Sequence, residues 1–193
     1  MPEPGRSSHQ KPTPTSGGLS FIVGLLGAQI YLYTQGIPAI ESFNGIILGS
    51  ACLLSVVGFM DEFKEIPFTK RLFAQFIVSA LLVFLGPIES MFQMALLIIL
   101  LAGFINATNF CDGLNGLLGT GMMIATALLS FHIPDLLPSL LPLSAGLLMF
   151  LIYNWRGKIF MGDVGSFFLG LYVPALLLTT PHLLFNILVL GHL

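Results

Sequence analysis

Four polar stretches hold the residues that could do chemistry in this chain. Gly58 to Gln75, GFMDEFKEIPFTKRLFAQ, places the adjacent acids Asp61 and Glu62 ahead of Lys64, Lys70 and Arg71. Adjacent acids at a helix end can act as general base or bind a cation. Basic residues a few positions later can grip phosphate, Arg71 in bidentate fashion. Taken alone, this stretch also reads as a solvated loop. Asn106 to Gly116, NATNFCDGLNG, gathers Asn106, Asn109, Asp112 and Asn115 beside Gly113 and Gly116. Asn109 and Asp112, three residues apart, share one face of a helical turn. Asp112 also suits the N-cap of a following helix, but a cap uses one such residue and leaves the others unexplained. In Asn154 to Gly170, NWRGKIFMGDVGSFFLG, Asp163 lies between Gly162 and Gly165 with Ser166 just beyond. Glycines let backbone N–H groups approach a phosphate, and a carboxylate among them suits Mg²⁺; a capped turn is the simpler reading. His9 to Gly18, HQKPTPTSGG, is stiffened by prolines and ends in paired glycines that permit close approach. Its Lys11 could neutralise a phosphate, as any interfacial lysine could.

The elements that must position these residues are greasy. Of 193 residues, 55% are hydrophobic and 8% charged, and the mean hydropathy is +0.94. Soluble domains carry about 25% charged residues, so the composition points to a lipid-embedded helical bundle, whose backbone is satisfied within each helix. The net charge of −2 is too small to argue for a nucleic-acid partner, and none is expected. Candidate spans run over Gly18–Tyr33, Phe43–Met60, Leu72–Gly86, Met91–Ile105, Leu114–Phe131, Leu136–Tyr153 and Phe167–Leu178, with a further apolar segment from Leu183 to Leu193 too short to cross. Breakers separate them at Gly36–Pro38, Gly86-Pro87, Ile133–Asp135 and Thr180-Pro181. The expected architecture is therefore all-α, a polytopic transmembrane bundle of about seven spans plus a partial one, in a single membrane domain over residues 1–193.

Every basic residue falls on alternate connections: Arg6 and Lys11, then Lys64, Lys70 and Arg71, then Arg156 and Lys158. The intervening loops hold Glu41, Glu89 and Asp135. By the positive-inside rule the basic connections face the cytoplasm, and the Asn106–Gly116 stretch falls on that same side. The four polar motifs are thus expected to line a cleft on the cytoplasmic face of the inner membrane.

Other chemistries find little support. There is no GxxxxGK[ST] loop, GxSxG elbow, HExxH or D-x-D-x-D-G ligand order, and His9, His132, His182 and His192 are scattered. Cys52 and Cys111 have no metal-ligand or CxxC spacing and read as free thiols. The N-terminus lacks a signal-peptide layout.

In this order, KPTPTSGG, GFMDE, NATNFCDGLNGL and IFMGDVGSFFLG resemble the polyprenyl-phosphate N-acetylhexosamine-1-phosphate transferase family, of glycosyltransferase family 4 type. The resemblance covers nearly the whole chain. It implies a phosphotransferase that moves N-acetylhexosamine 1-phosphate from a UDP-sugar to a polyprenyl phosphate, giving polyprenyl-pyrophosphoryl-sugar and UMP. It further implies Asp61 and Glu62 as the catalytic acids, with Asp61 the base that strips the lipid phosphate. Asp163, with Asp112, would hold Mg²⁺ or Mn²⁺. Lys11, Arg71, Asn109, Asp112, Asn154 and Lys158 would bind substrate. The resemblance also leaves room for a homodimer.

Two positions depart from the family pattern: Glu62 replaces the second aspartate of the usual pair, and Asn115 replaces an often acidic residue. Family members also carry a helix before the first motif and further spans with a histidine-rich loop after the last, so the chain is expected to be a piece of such an enzyme. Two rival readings are an inactive remnant acting as a membrane scaffold, and a transporter. A transporter would place acids at mid-span, whereas Asp61, Asp112 and Asp163 lie at span ends.

Overall fold

The computed structural model describes residues 14–37 and 42–180. Among them it holds seven α-helices and no strand: α1 Gly18–Thr34, α2 Ser42–Lys64, α3 Phe68–Leu85, α4 Met91–Cys111, α5 Leu117–His132, α6 Leu137–Asn154 and α7 Gly162–Leu176. Short 3-10 turns, Pro134–Leu136 and Leu177–Thr179, lead into α6 and out of α7. Lys11, His9 and the apolar segment Leu183–Leu193 lie outside the described residues.

Five segments are long and apolar enough to cross a membrane: Asn44–Lys64, Phe68–Leu85, Met91–Cys111, Pro134–Asn154 and Gly162–Thr179. The chain is thus an integral membrane protein, all-helical over the described residues. Helices α1 and α5 are apolar but shorter, at 17 and 16 residues. At about 1.5 Å per residue they fall somewhat short of a hydrocarbon core about 30 Å thick.

Helix α7 occupies the centre. Its membrane window is 78% buried, against 28–39% for the other four long segments. Beyond Ser166 its sequence is apolar on every side, as suits a helix surrounded by others, and Val164, Phe167, Phe168, Leu171 and Tyr172 are all buried. Helices α1, α2 and α4 pack around it. Lipid tails are as apolar as leucine, so helices here associate by close fit rather than by escape from water. Gly58 supplies such a fit: a Cβ there would collide with the Asp163 carbonyl, so α2 meets α7 backbone to backbone beside that aspartate. Deeper down, Phe168 stacks on Tyr172 at 5.1 Å, and Phe21 of α1 meets Phe150 of α6 edge-on at 5.8 Å.

Several helix ends differ from the hydropathy reading, α3 among them, which begins at Phe68 rather than Leu72 and so takes Arg71 into its first turn. Helix α2 continues past Met60 to Lys64, α4 continues past Ile105 to Cys111, and α7 begins at Gly162 rather than Phe167. Hydropathy marks where a helix leaves the lipid, while backbone hydrogen bonding carries it onward into the polar boundary. Asn106 and Asn109 are therefore helical residues. Asp112 is not the N-cap of α5. It is the C-cap of α4, and Gly116, in the left-handed region at φ 80°, precedes α5.

Candidate active site

The polar residues converge where α7 starts. Arg71, from the first turn of α3, donates through one nitrogen, Nη1, to Asp61 Oδ2 at 2.6 Å and to Asp163 Oδ2 at 2.9 Å. These are the ion pairs found among the described residues, and both are largely shielded, with side-chain exposures of 12–24%. Asn109 Nδ2, near the end of α4, donates to Asp163 Oδ1 at 2.7 Å and to Ser166 Oγ at 3.1 Å. Asp163 is thus gripped from α3 and α4, while α2 lies against its carbonyl. Asp61 Oδ1 also accepts the Ile66 N–H at 2.5 Å, which closes the turn after α2 and holds the carboxylate at the helix end.

A second set of bonds fixes the turn before Asp163. Asp112 Oδ2 accepts the Gly162 N–H at 3.1 Å, so the residue ending α4 caps the start of α7. Gly162 has φ +73°, and a Cβ there would collide with Glu62 Oε1 and the Thr15 carbonyl; both features require glycine. Glu62 faces the segment before α1, accepting from Ser16 Oγ at 2.5 Å and Thr15 Oγ1 at 3.1 Å. Burial pushes the Asp112 carboxyl up from its ordinary 3.8 to about 7; the Gly162 N–H pulls it down, and the charges of Asp163 and Glu62 push it further up.

The site residues expected from the sequence divide accordingly. Asp61, Glu62, Arg71, Asn109, Asp112 and Asp163 come together. Asn154 does not face them. It is 4% exposed, its Oδ1 accepts the Gly116 N–H at 2.7 Å, and its Nδ2 donates to the Ile159 carbonyl at 2.8 Å. Both ends of the amide hold the α4–α5 connection to the segment before α7. Lys158 is exposed on that segment, and no side-chain hydrogen bond or ion pair ties it to the cluster. Asn115 is exposed.

Sequence reasoning missed two contributors. Ser166 reaches Asn109, and its carbonyl accepts Thr108 Oγ1 at 3.0 Å, joining α4 to α7. Gln75 Oε1 accepts Asn106 Nδ2 at 2.5 Å, joining α3 to α4 one turn deeper than Arg71 and Asn109. An amide one turn beyond Arg71 on a lipid-embedded helix was the available signal for Gln75.

A groove of about 470 Å³ opens between α3 and α4 beside the cluster; Phe68, Arg71, Gln75, Asn106, Asn109 and Phe167 are among its lining residues. Arg71 Nε is buried with no hydrogen-bond partner. Among the described residues, no three Asp, Glu, His or Cys side chains form a ready metal site.

A family model for glycosyl transferase family 4 matches residues 44–180, a stretch that contains Asp61, Glu62, Arg71, Asn109, Asp112 and Asp163. The chain belongs to glycosyl transferase family 4. Within family 4, it is 29% identical over 211 residues to the decaprenyl-phosphate N-acetylglucosaminephosphotransferase of Mycobacterium tuberculosis, covering 88% of this chain and 50% of that protein. It is 31% identical over 192 residues to the phospho-N-acetylmuramoyl-pentapeptide-transferase of Thermotoga neapolitana, covering 86% of this chain and 60% of that one. The corresponding transferase of Carboxydothermus hydrogenoformans is 28% identical over 225 residues, covering 96% and 68%. The chain spans about half to two thirds of the length of these relatives.

Proposed function

We propose that this family 4 chain carries the catalytic cluster of a transferase that moves N-acetylhexosamine 1-phosphate from a UDP-sugar to a polyprenyl phosphate. The products are polyprenyl-pyrophosphoryl-sugar and UMP, and the site opens on the cytoplasmic side of the inner membrane. The observation that carries this reading is the single guanidinium of Arg71 held between Asp61 and Asp163 at the membrane boundary, with a groove beside it. The family relatives and the position of the cluster at helix ends support it over a transporter, which would need charge at mid-span.

The reaction joins two anions. An oxygen of the lipid phosphate attacks the sugar-bearing phosphorus, the bond from that phosphorus to the bridging oxygen breaks, and UMP leaves with that oxygen. Phosphoryl transfer is chiefly a matter of positioning and charge neutralisation. Asp61, at the end of α2, accepts the proton of the lipid phosphate. Arg71 offers its remaining donors to phosphate oxygens, guanidinium being suited to bidentate contact. Asn109 fixes the direction of the Asp163 carboxylate, and Asp112 fixes the Gly162 backbone that precedes it.

The donor set fits a hard divalent cation. Asp61 and Asp163 place two carboxylates on one guanidinium, and Asp112 lies near enough to Asp163 for its charge to be felt. One or two carboxylates suffice for Mg²⁺, which fills its other positions with water and substrate phosphate. Asp163 and Asp112 would hold Mg²⁺ or Mn²⁺, which when bound offsets charge on the transferred phosphate.

The test is cation-dependent exchange of labelled UMP into a UDP-N-acetylhexosamine. It uses membranes lacking the host's own transferases, supplied with polyprenyl phosphate and its sugar-pyrophosphoryl product. Exchange that disappears in Asp163→Asn supports the reading; exchange insensitive to that substitution, or none from a folded, inserted chain, overturns it for this chain.

A further inference from the structure

Glu62 stands next to Asp61 but works elsewhere. Neighbours on a helix point about 100° apart, and here the two adjacent acids take different partners. Asp61 turns to Arg71, whereas Glu62 Oε2 accepts both the Ser16 and the Thr15 hydroxyls, at 2.5 and 3.1 Å. Its other oxygen, Oε1, lies against Gly162, where a Cβ would strike it.

The segment so held is already paired with the approach to Asp163. The Phe160 N–H donates to the Pro14 carbonyl at 2.8 Å, Gly17 donates to Phe160 at 2.9 Å, and Gly18 donates to Met161 at 2.9 Å. Residues 14–18 and 160–162 thus run side by side, and the Glu62 carboxylate closes the third side from α2. The extra methylene matters, because an aspartate would fall about 1.5 Å short of those hydroxyls.

We infer that Glu62 is a positioning residue: it fastens the lead-in to α1 onto the Phe160–Gly162 turn and so sets where Asp163 stands, without itself touching substrate or metal. This rests on the transferase reading given above, but its structural half can be measured without turnover.

The experiment compares the full chain with Glu62→Gln, Glu62→Asp, Glu62→Ala, the pair Thr15→Ala/Ser16→Ala, and that pair combined with Glu62→Ala. Two readouts are taken: hydrogen exchange at the Gly17 and Gly18 amides, and kcat and KM for labelled-UMP exchange. Glu62→Ala, Glu62→Asp and the hydroxyl pair should speed amide exchange by about tenfold or more, the scale of a lost hydrogen bond to a charged group. Glu62→Gln, which keeps the length and can still bond both hydroxyls, should restore protection and turnover relative to Glu62→Ala. The combined variant should be no worse than Glu62→Ala alone, because both remove one interaction. Glu62→Gln as inactive as Glu62→Ala, with Gly17 and Gly18 fully protected, would make Glu62 a direct participant and overturn the inference. Unchanged amide exchange in the hydroxyl pair would overturn it as well, even if Glu62→Ala failed to fold. A wild-type chain that transfers nothing would count against the proposed reaction alone, since the amide measurement still decides the role of Glu62.

Discussion

The two flanks of Asp163 are built from different materials. On the α3–α4 flank the carboxylate is met by side-chain tips: Arg71 from one helix, Asn109 from the next, with Asp61 sharing the guanidinium. On the α1 flank the turn before it is held mostly through backbone groups: the Phe160, Gly17 and Gly18 N–H groups donate to the Pro14, Phe160 and Met161 carbonyls, the Gly162 N–H donates to Asp112, and Glu62 holds the hydroxyls of Thr15 and Ser16. Side-chain tips can exchange one partner for another at little cost, whereas backbone ties move only if the chain moves. The first flank is suited to receiving an anion, and the second to keeping the receiver in place.

The largest effects should come from the first flank. Asp163→Asn or Arg71→Met should lower UMP exchange by about 10² to 10³, the usual cost of removing one charged group that stabilises the transition state. Thermal stability should change much less. Arg71→Lys should recover only part of the loss, since an ammonium cannot reproduce the planar fork. If both Arg71 variants keep full exchange, the distinction between the flanks fails.

The second flank should answer in stability first. Gly162→Ala forces a side chain into the left-handed region and against Glu62 and Thr15, and should cost about 1–3 kcal/mol. The thermal midpoint of the purified protein measures it, and an unshifted midpoint would show that the turn is slack. Asn154→Ala removes a buried amide from two backbone partners and should cost about 1–3 kcal/mol. Because Asn154 stands apart from the cluster, its variant should keep kcat once folded, and a selective loss of kcat would return it to the substrate-binding set.

A final prediction concerns pH. The Asp112 carboxyl is raised from 3.8 to about 7, chiefly by burial. Between those values the folded chain holds a proton that the unfolded chain has released, so this group's contribution to stability falls as pH rises through that window and stays low above it. Asp112→Asn removes the titration, so the wild-type midpoint should decline more from pH 5 to pH 8 than that of the variant. Parallel curves would place the Asp112 carboxyl in an ordinary aqueous setting.

Much of this arrangement was readable in the sequence, for identifiable reasons. Long apolar runs announced the helices, and Asp61, Arg71, Asn109, Asp112 and Asp163 stood out because charge and amide are rare in such a chain. Helix ends were less legible, because α2 and α4 outrun their apolar stretches by the residues that build the site. Asn154 was assigned to substrate from its place before KIFMGD, yet only the fold reveals that Gly116 and Ile159 consume its amide. The partnership of Glu62 with Ser16, across 46 positions, left no local trace: the prolines and glycines around Thr15 and Ser16 already accounted for that stretch.

The central place of α7 bears on how the molecule is made. Chains are synthesised and inserted from the N-terminus, and α7 is the last of the described helices to emerge. Until it does, the glycine-bearing face of α2 has no helix to receive it, and Arg71 lacks a partner that lies 92 residues downstream. A nascent chain halted before Gly162 would carry Asp61 and Arg71 without Asp163, so the polar cluster is assembled only once α7 has emerged.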